Sequence, residues 1–80
     1  MSDFDDVFKK SFKKIKNQDL KNRVKKKIPK VLEDPCLGKP MRYERKGTRE
    51  LYIPPFRLAY AFLEDENKII FIYLYHKDEQ

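Results

Sequence analysis

The spacing of the apolar residues changes along this chain, and the change limits the folds that the sequence can adopt. Across residues 4–32 the apolar side chains recur at every third or fourth position, as they do along one side of an α-helix. Across residues 49–75 they form short runs rich in Tyr, Phe and Ile, separated by turn-forming residues, as in β-strands. Helices followed by strands predict an α+β fold.

The first half predicts a helical hairpin. One helix covers residues 4–16, and the polar residues 17–19 interrupt it, with Asp19 placed to cap a second helix. The second helix ends at Asp34-Pro35, because proline cannot continue it. Its apolar stripe consists of Leu20, Val24, Ile28, Val31 and Leu32, and we expect Leu20, Val24, Ile28 and Leu32 to pack against the sheet.

The second half predicts a three-stranded antiparallel meander. Its strands cover residues 49–53, 56–63 and 68–75, joined by a turn at Pro54-Pro55 and a polar turn at 64–67. Residues 35–48 are predicted to be a loop, and the acidic residues 2–6 give no strand signal. We therefore expect residues 1–80 to form a single domain, with the hairpin packed on one face of the meander.

Charge is concentrated in the predicted helices. The chain carries a net charge of +6, and residues 1–30 hold eleven Lys and Arg against four Asp, a net charge of +7. Such a surface favours a polyanion: nucleic acid, an acidic protein segment or an anionic membrane. One Cys and one His exclude the usual zinc sites and an intramolecular disulfide, so we expect no metal and no cofactor. With no signal peptide and no apolar run of membrane-spanning length, we expect a cytoplasmic protein without a membrane partner.

Five short motifs follow one another along the chain: Leu32-Glu33-Asp34-Pro35, Gly38-Lys39-Pro40-Met41-Arg42, Lys46-Gly47-Thr48-Arg49, Phe56-Arg57-Leu58-Ala59-Tyr60 and Tyr75-His76-Lys77-Asp78. In this order they resemble the RelE/ParE superfamily of toxins from toxin-antitoxin systems. The usual consensus there reads Asn-Pro, Gly-Lys-Pro-Leu, Lys-Gly-hydrophobic-Arg, Tyr-Arg and His-Arg. Here Lys77 replaces the last Arg, and no Tyr follows it.

The resemblance implies a toxin that is neutralised by an acidic, RelB-like antitoxin. Relatives of the RelE branch are metal-independent endonucleases that cut mRNA in the ribosomal A site and leave a 2′,3′-cyclic phosphate. We therefore expect the ribosome and mRNA as partners and inhibition of translation as the outcome. Two alternatives stay open: a ParE-like toxin that poisons DNA gyrase, and a decayed toxin that acts only by protein binding.

RNA cleavage requires an acid/base group and cations that stabilise the phosphorane. Arg57 is a candidate cation, because it shares a strand face with Ala59 and Ala61, whose small side chains leave space for a ligand. The structural alternative is an Arg paired with a carboxylate on a solvated face. If the turn at 64–67 has an even number of residues, Leu63 is opposite Lys68 and Arg57 lies on the same face as His76. If the number of residues is odd, His76 lies on the other face.

The remaining candidates follow from the resemblance and from charge. His76 would serve as the acid/base group and Lys77 as a further catalytic cation. Arg42, Lys46 and Arg49 would hold the RNA backbone, with a solvated loop as the alternative interpretation. Lys9, Lys13 and Lys26 would contact RNA on the ribosome, although such runs of Lys usually form a solvated helix face.

Overall fold

The structure is a computed structural model that describes residues 2–41 and 47–76. Two helices and five strands follow one another in the order β1, α1, α2, β2, β3, β4, β5, and a single 3₁₀ turn, Glu64–Glu66, joins the last two strands. Their bounds are β1 Ser2–Phe4, α1 Asp6–Lys14, α2 Gln18–Glu33, β2 Lys39–Pro40, β3 Thr48–Ile53, β4 Phe56–Leu63 and β5 Lys68–His76. The predicted α+β class and the helical hairpin are confirmed.

The strands form one mixed sheet in the order β1-β5-β4-β3-β2. Strands β3, β4 and β5 make the predicted antiparallel meander. The prediction of only three strands is wrong, because β1 pairs in parallel with β5 at one edge and β2 pairs antiparallel with β3 at the other. The sheet therefore has five strands, and its centre is β4.

Strand β1 forms in the acidic segment that gave no strand signal, because its stabilising contacts come from β5. Asp3 forms a salt bridge of 3.0 Å with Lys68, the first residue of β5. The Phe4 ring stacks on Phe71, with ring centroids 5.1 Å apart. Helix α1 consequently begins at Asp6 rather than at Phe4.

Both helices begin with a side-chain cap. The Asp5 carboxylate accepts a hydrogen bond from the Val7 amide at 2.8 Å. The Asn17 side chain accepts from the amides of Asp19 and Leu20, so Asn17 caps α2 instead of Asp19. Asn is among the best N-cap residues, and it starts the helix at Gln18. Among residues 2–41 and 47–76, no helix combines the length and the apolar character needed to cross a membrane.

The hydrophobic core lies between the helices and one face of the sheet, which we call the inner face; the opposite face is the outer face. Its fully buried side chains include Val24 and Val31 from α2 and Leu58, Tyr60 and Phe71 from the sheet. Leu20 and Ile28 pack against this core as predicted, but Leu32 is 43% exposed. Val31, which was also part of the predicted stripe, is buried instead, because the buried side of α2 advances by three residues after Ile28 rather than by four.

Tyr60 fixes the segment that follows α2. Its hydroxyl donates to the Pro35 carbonyl and accepts from the Gly38 amide, both at 2.8 Å. A Cβ atom added to Gly38 would lie 2.9 Å from the Tyr60 hydroxyl and 2.9 Å from the Glu50 carbonyl oxygen, so only glycine fits there without a shift. Burial raises the pKa of Tyr60, so the hydroxyl stays protonated and keeps both bonds.

Replacing Tyr60 by Phe should lower the free energy of unfolding by about 1 to 3 kcal/mol, because the buried Gly38 amide loses its acceptor. Urea denaturation followed by circular dichroism measures the change. Tyr52→Phe is the matched control: Tyr52 is 50% exposed, so the same loss of a hydroxyl should leave the midpoint nearly unchanged. Equal midpoints for Tyr60→Phe and the wild type would contradict the anchoring role.

Candidate active site

The outer face of the sheet brings together four side chains from three neighbouring strands. Arg57 in β4 is paired with Tyr52 in β3 on one side and with Tyr75 in β5 on the other. Glu50 lies two residues before Tyr52, on the same face, and is paired with Ala59. We call Glu50, Tyr52, Arg57 and Tyr75 the outer-face cluster. The small Ala59 beside Glu50 leaves room for the longer side chains of this cluster.

Hydrogen bonds and ring contacts connect the members of the outer-face cluster. The Arg57 Nη1 atom donates to Glu50 Oε1 at 3.0 Å, and the Tyr75 hydroxyl donates to the other carboxylate oxygen, Oε2. The guanidinium also lies 5.9 Å from the centre of the Tyr52 ring. The side chain of Arg57 is 37% exposed and that of Glu50 is 21% exposed. Arg57 is thus held by neighbours and still reaches solvent.

Two groups of the outer-face cluster have shifted pKa values. Burial alone lowers the pKa of Arg57, but the hydrogen bond and charge of Glu50, with a contribution from Tyr75, outweigh it, so the pKa is raised. Arg57 therefore stays a cation. Burial raises the pKa of Tyr75, and the Glu50 carboxylate raises it further, so the phenol keeps its proton and remains a donor.

The model of the family described as the ParE toxin of the type II toxin-antitoxin system, parDE, matches residues 2–80. The chain belongs to the ParE toxin family. The predicted membership of the RelE/ParE superfamily is confirmed, and the chain is a toxin of a type II toxin-antitoxin system. A search of curated proteins finds no significant match.

Solved structures of RelE toxins share the fold of this ParE-family toxin. A chain of the intact E. coli RelBE toxin-antitoxin complex is 21% identical, with a TM-score of 0.78 and 92% of each chain covered. The isolated E. coli RelE toxin is 20% identical, with a TM-score of 0.80, covering 95% of this chain and 82% of that one. A chain of the RelB-RelE complex from Methanococcus jannaschii is 17% identical, with a TM-score of 0.77, covering 95% and 91%.

His76 does not lie beside Arg57 on the outer face of the sheet. Leu63 is opposite Lys68, as expected for an even turn, but a β-bulge between Ala59 and Tyr60 shifts the register. Ile72 is the extra residue on β5, so Arg57 is paired with Tyr75, and His76 is paired with Phe56. The His76 and Phe56 rings make an edge contact at 5.5 Å on the inner side. The common face that an even turn alone predicts for Arg57 and His76 is therefore not formed, because of the bulge.

Other predicted site residues of the toxin are dispersed. Arg49 is paired with Tyr60 on the inner side, and its Nη1 atom donates to the carbonyls of Gly38 at 2.7 Å and Cys36 at 3.4 Å. In this arrangement Arg49 fastens the loop before β2. The predicted basic residues of the helices are exposed on α1 and α2; they are Lys9, Lys13 and Lys26. Three predicted residues lie outside the described residues: Arg42, Lys46 and Lys77.

Glu50 was not among the predicted site residues, and Tyr75 was noted only as the first residue of the Tyr75-His76-Lys77-Asp78 motif. The structural alternative for Arg57, a pairing with a carboxylate, is observed. A signal for Glu50 was present, because a two-residue turn at Pro54-Pro55 fixes the pairing of Tyr52 with Arg57. Glu50, two residues before Tyr52, must then share the face of Arg57.

Proposed function

We propose that this toxin is a metal-independent endonuclease that cuts mRNA on the ribosome. The observation that carries the proposal is the outer-face cluster, in which a partly exposed Arg57 cation lies 5.9 Å from the Tyr52 ring and is paired across the sheet with Tyr52 and Tyr75. An arginine can stabilise charge on a phosphate, and neighbouring aromatic rings can stack on bases. Together these groups suit a single-stranded RNA bound across β3, β4 and β5.

Arg57 is the proposed cation at the reacting phosphate. The Nη1 atom of Arg57 donates a hydrogen bond to Glu50. Its buried Nε atom has no hydrogen-bond partner among residues 2–41 and 47–76. The motif resemblance proposes His76 as an acid/base group and Lys77 as a second cation, whereas the strand register puts His76 on the inner side of the sheet, opposite to Arg57. Resemblance and charge likewise support Arg42 and Lys46 as contacts to the RNA backbone, whereas the Arg49 guanidinium donates to the Gly38 and Cys36 carbonyls on the inner side of the sheet.

Incubation of the toxin with programmed ribosomes tests the proposed reaction. We expect cleavage of the mRNA in the ribosomal A site, with a 2′,3′-cyclic phosphate on the upstream product. Mapping the cut by primer extension and identifying the terminus by its resistance to direct ligation provide two readouts. Intact mRNA after incubation with a folded, growth-inhibiting toxin would refute the proposal.

Two kinds of partner follow from the charge of the helices and from the solved relatives. Complexes of RelE-type toxins with RelB antitoxins have been solved for E. coli and M. jannaschii. We propose that this toxin likewise binds an acidic, RelB-like antitoxin. Lys9, Lys13 and Lys26 are exposed, and we propose that they contact ribosomal RNA phosphates.

Changing Lys9, Lys13 and Lys26 together to Glu should weaken ribosome binding and flatten its salt dependence. Each lost phosphate contact lowers the slope of log K against log salt by about one. Filter binding at several salt concentrations measures both quantities. The matched control changes the same three residues to Arg, which keeps the charge and should keep the slope. An unchanged slope in the Glu variant would exclude these lysines from the interface.

Poisoning of DNA gyrase is a second candidate function. The family match favours it, because the matching model describes ParE toxins. A supercoiling assay with purified gyrase separates the two functions. If mRNA is the target, supercoiling proceeds normally at toxin concentrations that stop translation; inhibited supercoiling together with intact mRNA would favour gyrase.

A further inference from the structure

Glu50 occupies the centre of the outer-face cluster. One of its carboxylate oxygens accepts from Arg57 Nη1 at 3.0 Å, and the other accepts from the Tyr75 hydroxyl. The side chain is 21% exposed, so it is held in place and still accessible from the outer face. A phosphate bound by Arg57 would therefore lie beside a fixed carboxylate and a fixed phenol.

Cleavage that yields a 2′,3′-cyclic phosphate needs two proton transfers. A base accepts the proton of the 2′-hydroxyl, and an acid protonates the departing 5′-oxygen; each group must lie within hydrogen-bond reach of its proton. His76 is paired with Phe56 on the inner side of the sheet, opposite to the face that carries Arg57. Glu50 and Tyr75 lie on the same face as Arg57 and already contact each other.

We propose that Glu50 is the general base of this toxin and Tyr75 the general acid, an inference that rests on the RNA cleavage proposed above. The 2′-oxygen forms a bond to phosphorus while its proton passes to the Glu50 carboxylate. The bond from phosphorus to the 5′-oxygen breaks, and that oxygen takes the Tyr75 hydroxyl proton. Glu50 then returns its proton to the Tyr75 phenolate through their hydrogen bond, so both side chains end as they began.

The hydrogen bond from Tyr75 to Glu50 is what makes the two transfers a closed cycle. Tyr75 enters the reaction protonated, because burial and the neighbouring carboxylate raise its pKa. Arg57 donates to the same carboxylate, which fixes the position of Glu50 relative to the phosphate that Arg57 would hold. The three side chains thus provide one base, one acid and one cation on a single face of the sheet.

Single-turnover cleavage on programmed ribosomes tests Glu50 directly. Glu50→Gln keeps the size and the acceptor oxygen of the side chain but cannot take a proton, so its rate should fall about a hundredfold. The matched control is Glu33→Gln, the same change at the exposed end of α2, which should cut at the wild-type rate. Circular dichroism and ribosome affinity, both expected to be unchanged, separate loss of chemistry from loss of fold.

A modified mRNA substrate tests the role of Tyr75 as general acid without comparing the stabilities of protein variants. An mRNA with sulfur in place of the scissile 5′-oxygen has a leaving group that departs without protonation. Tyr75→Phe should be slow on normal mRNA and should recover on the sulfur substrate, whereas Glu50→Gln should stay slow on both. A Tyr75→Phe variant equally slow on both substrates would overturn the role as acid.

The outcomes distinguish this inference from the proposed function. Wild-type toxin that cuts neither substrate on ribosomes would refute RNA cleavage itself. If the wild-type toxin cuts mRNA and Glu50→Gln cuts it at the same rate, only the role of Glu50 is refuted. A third outcome would favour His76. If Glu50→Gln cuts at the wild-type rate and the cleavage rate of His76→Ala falls by two or more orders of magnitude, His76 is the general base.

Discussion

Arg57→Ala should cut mRNA about a hundredfold to a thousandfold more slowly than the wild-type toxin in a single turnover. Loss of one preorganised donor that stabilises transition-state charge typically has an effect of about this size. The variant should still fold, because Arg57 lies on the outer face, 37% exposed and outside the hydrophobic core. The measurement is the cleavage rate on programmed ribosomes at saturating toxin, with circular dichroism on the same sample.

Two further variants make the result specific. Arg57→Lys keeps the charge but loses the planar fork of donors, so its rate should lie between those of the wild type and Arg57→Ala. Arg23→Ala removes an exposed arginine of α2 whose Nη1 atom reaches the Pro54 carbonyl at 3.4 Å, far in sequence from the outer-face cluster. It should cut normally. A folded Arg57→Ala variant that cuts as fast as the wild type would remove Arg57 from the mechanism.

The helices and the three central strands were predictable because their signals are local. Strand β4 was predicted with its observed bounds, Phe56–Leu63, since alternating apolar residues lie between a Pro-Pro turn and a polar turn. The edge strands β1 and β2 were not predictable in this way. They have three and two residues, and their stability comes from pairing with β5 and β3, which are distant in the sequence.

The candidate site was predictable at Arg57 but not at its neighbours in β5. Alternation in β4 places Arg57 opposite the apolar face, and no more distant information is needed. The run from Ile69 to Tyr75 is apolar or aromatic throughout, so it contains no polar residue that marks a change of face. The bulge at Ile72 leaves no trace in such a run, and it moves His76 to the inner side.

The catalytic role proposed for Glu50 could not be predicted from the sequence. The Pro54-Pro55 turn places Glu50 on the face of Arg57, but a single Glu in a short strand has no pattern that marks it as catalytic. Its significance depends on the diagonal contact with Arg57 and on the Tyr75 hydroxyl, which belong to different strands. A polar site assembled across three strands becomes visible only when the register of all three is known.

We expect substitutions on the inner side of the sheet to destabilise the toxin more than substitutions in the outer-face cluster, because the inner side holds the hydrophobic core. Phe71 is fully buried in β5, where it is paired with Phe4 of β1 on one side and with Tyr60 of β4 on the other. Its ring lies 5.1 Å from Phe4, 6.0 Å from Phe8 and 6.2 Å from Tyr60, measured between centroids. One side chain thus connects the edge strand, the first helix and the central strand.

Phe71→Ala should lower the free energy of unfolding by about 3 to 5 kcal/mol, because it removes apolar contacts and leaves a cavity among these rings. Domains of this size are stable by roughly 4 to 12 kcal/mol, so this loss is a large fraction of the total. Much of the Phe71→Ala variant should therefore be unfolded at moderate urea concentrations. Phe4→Ala is the control, since Phe4 is 38% exposed and its loss should cost less than half as much. Urea denaturation followed by circular dichroism compares the two variants, and a Phe71→Ala midpoint equal to that of Phe4→Ala would contradict the central position of Phe71.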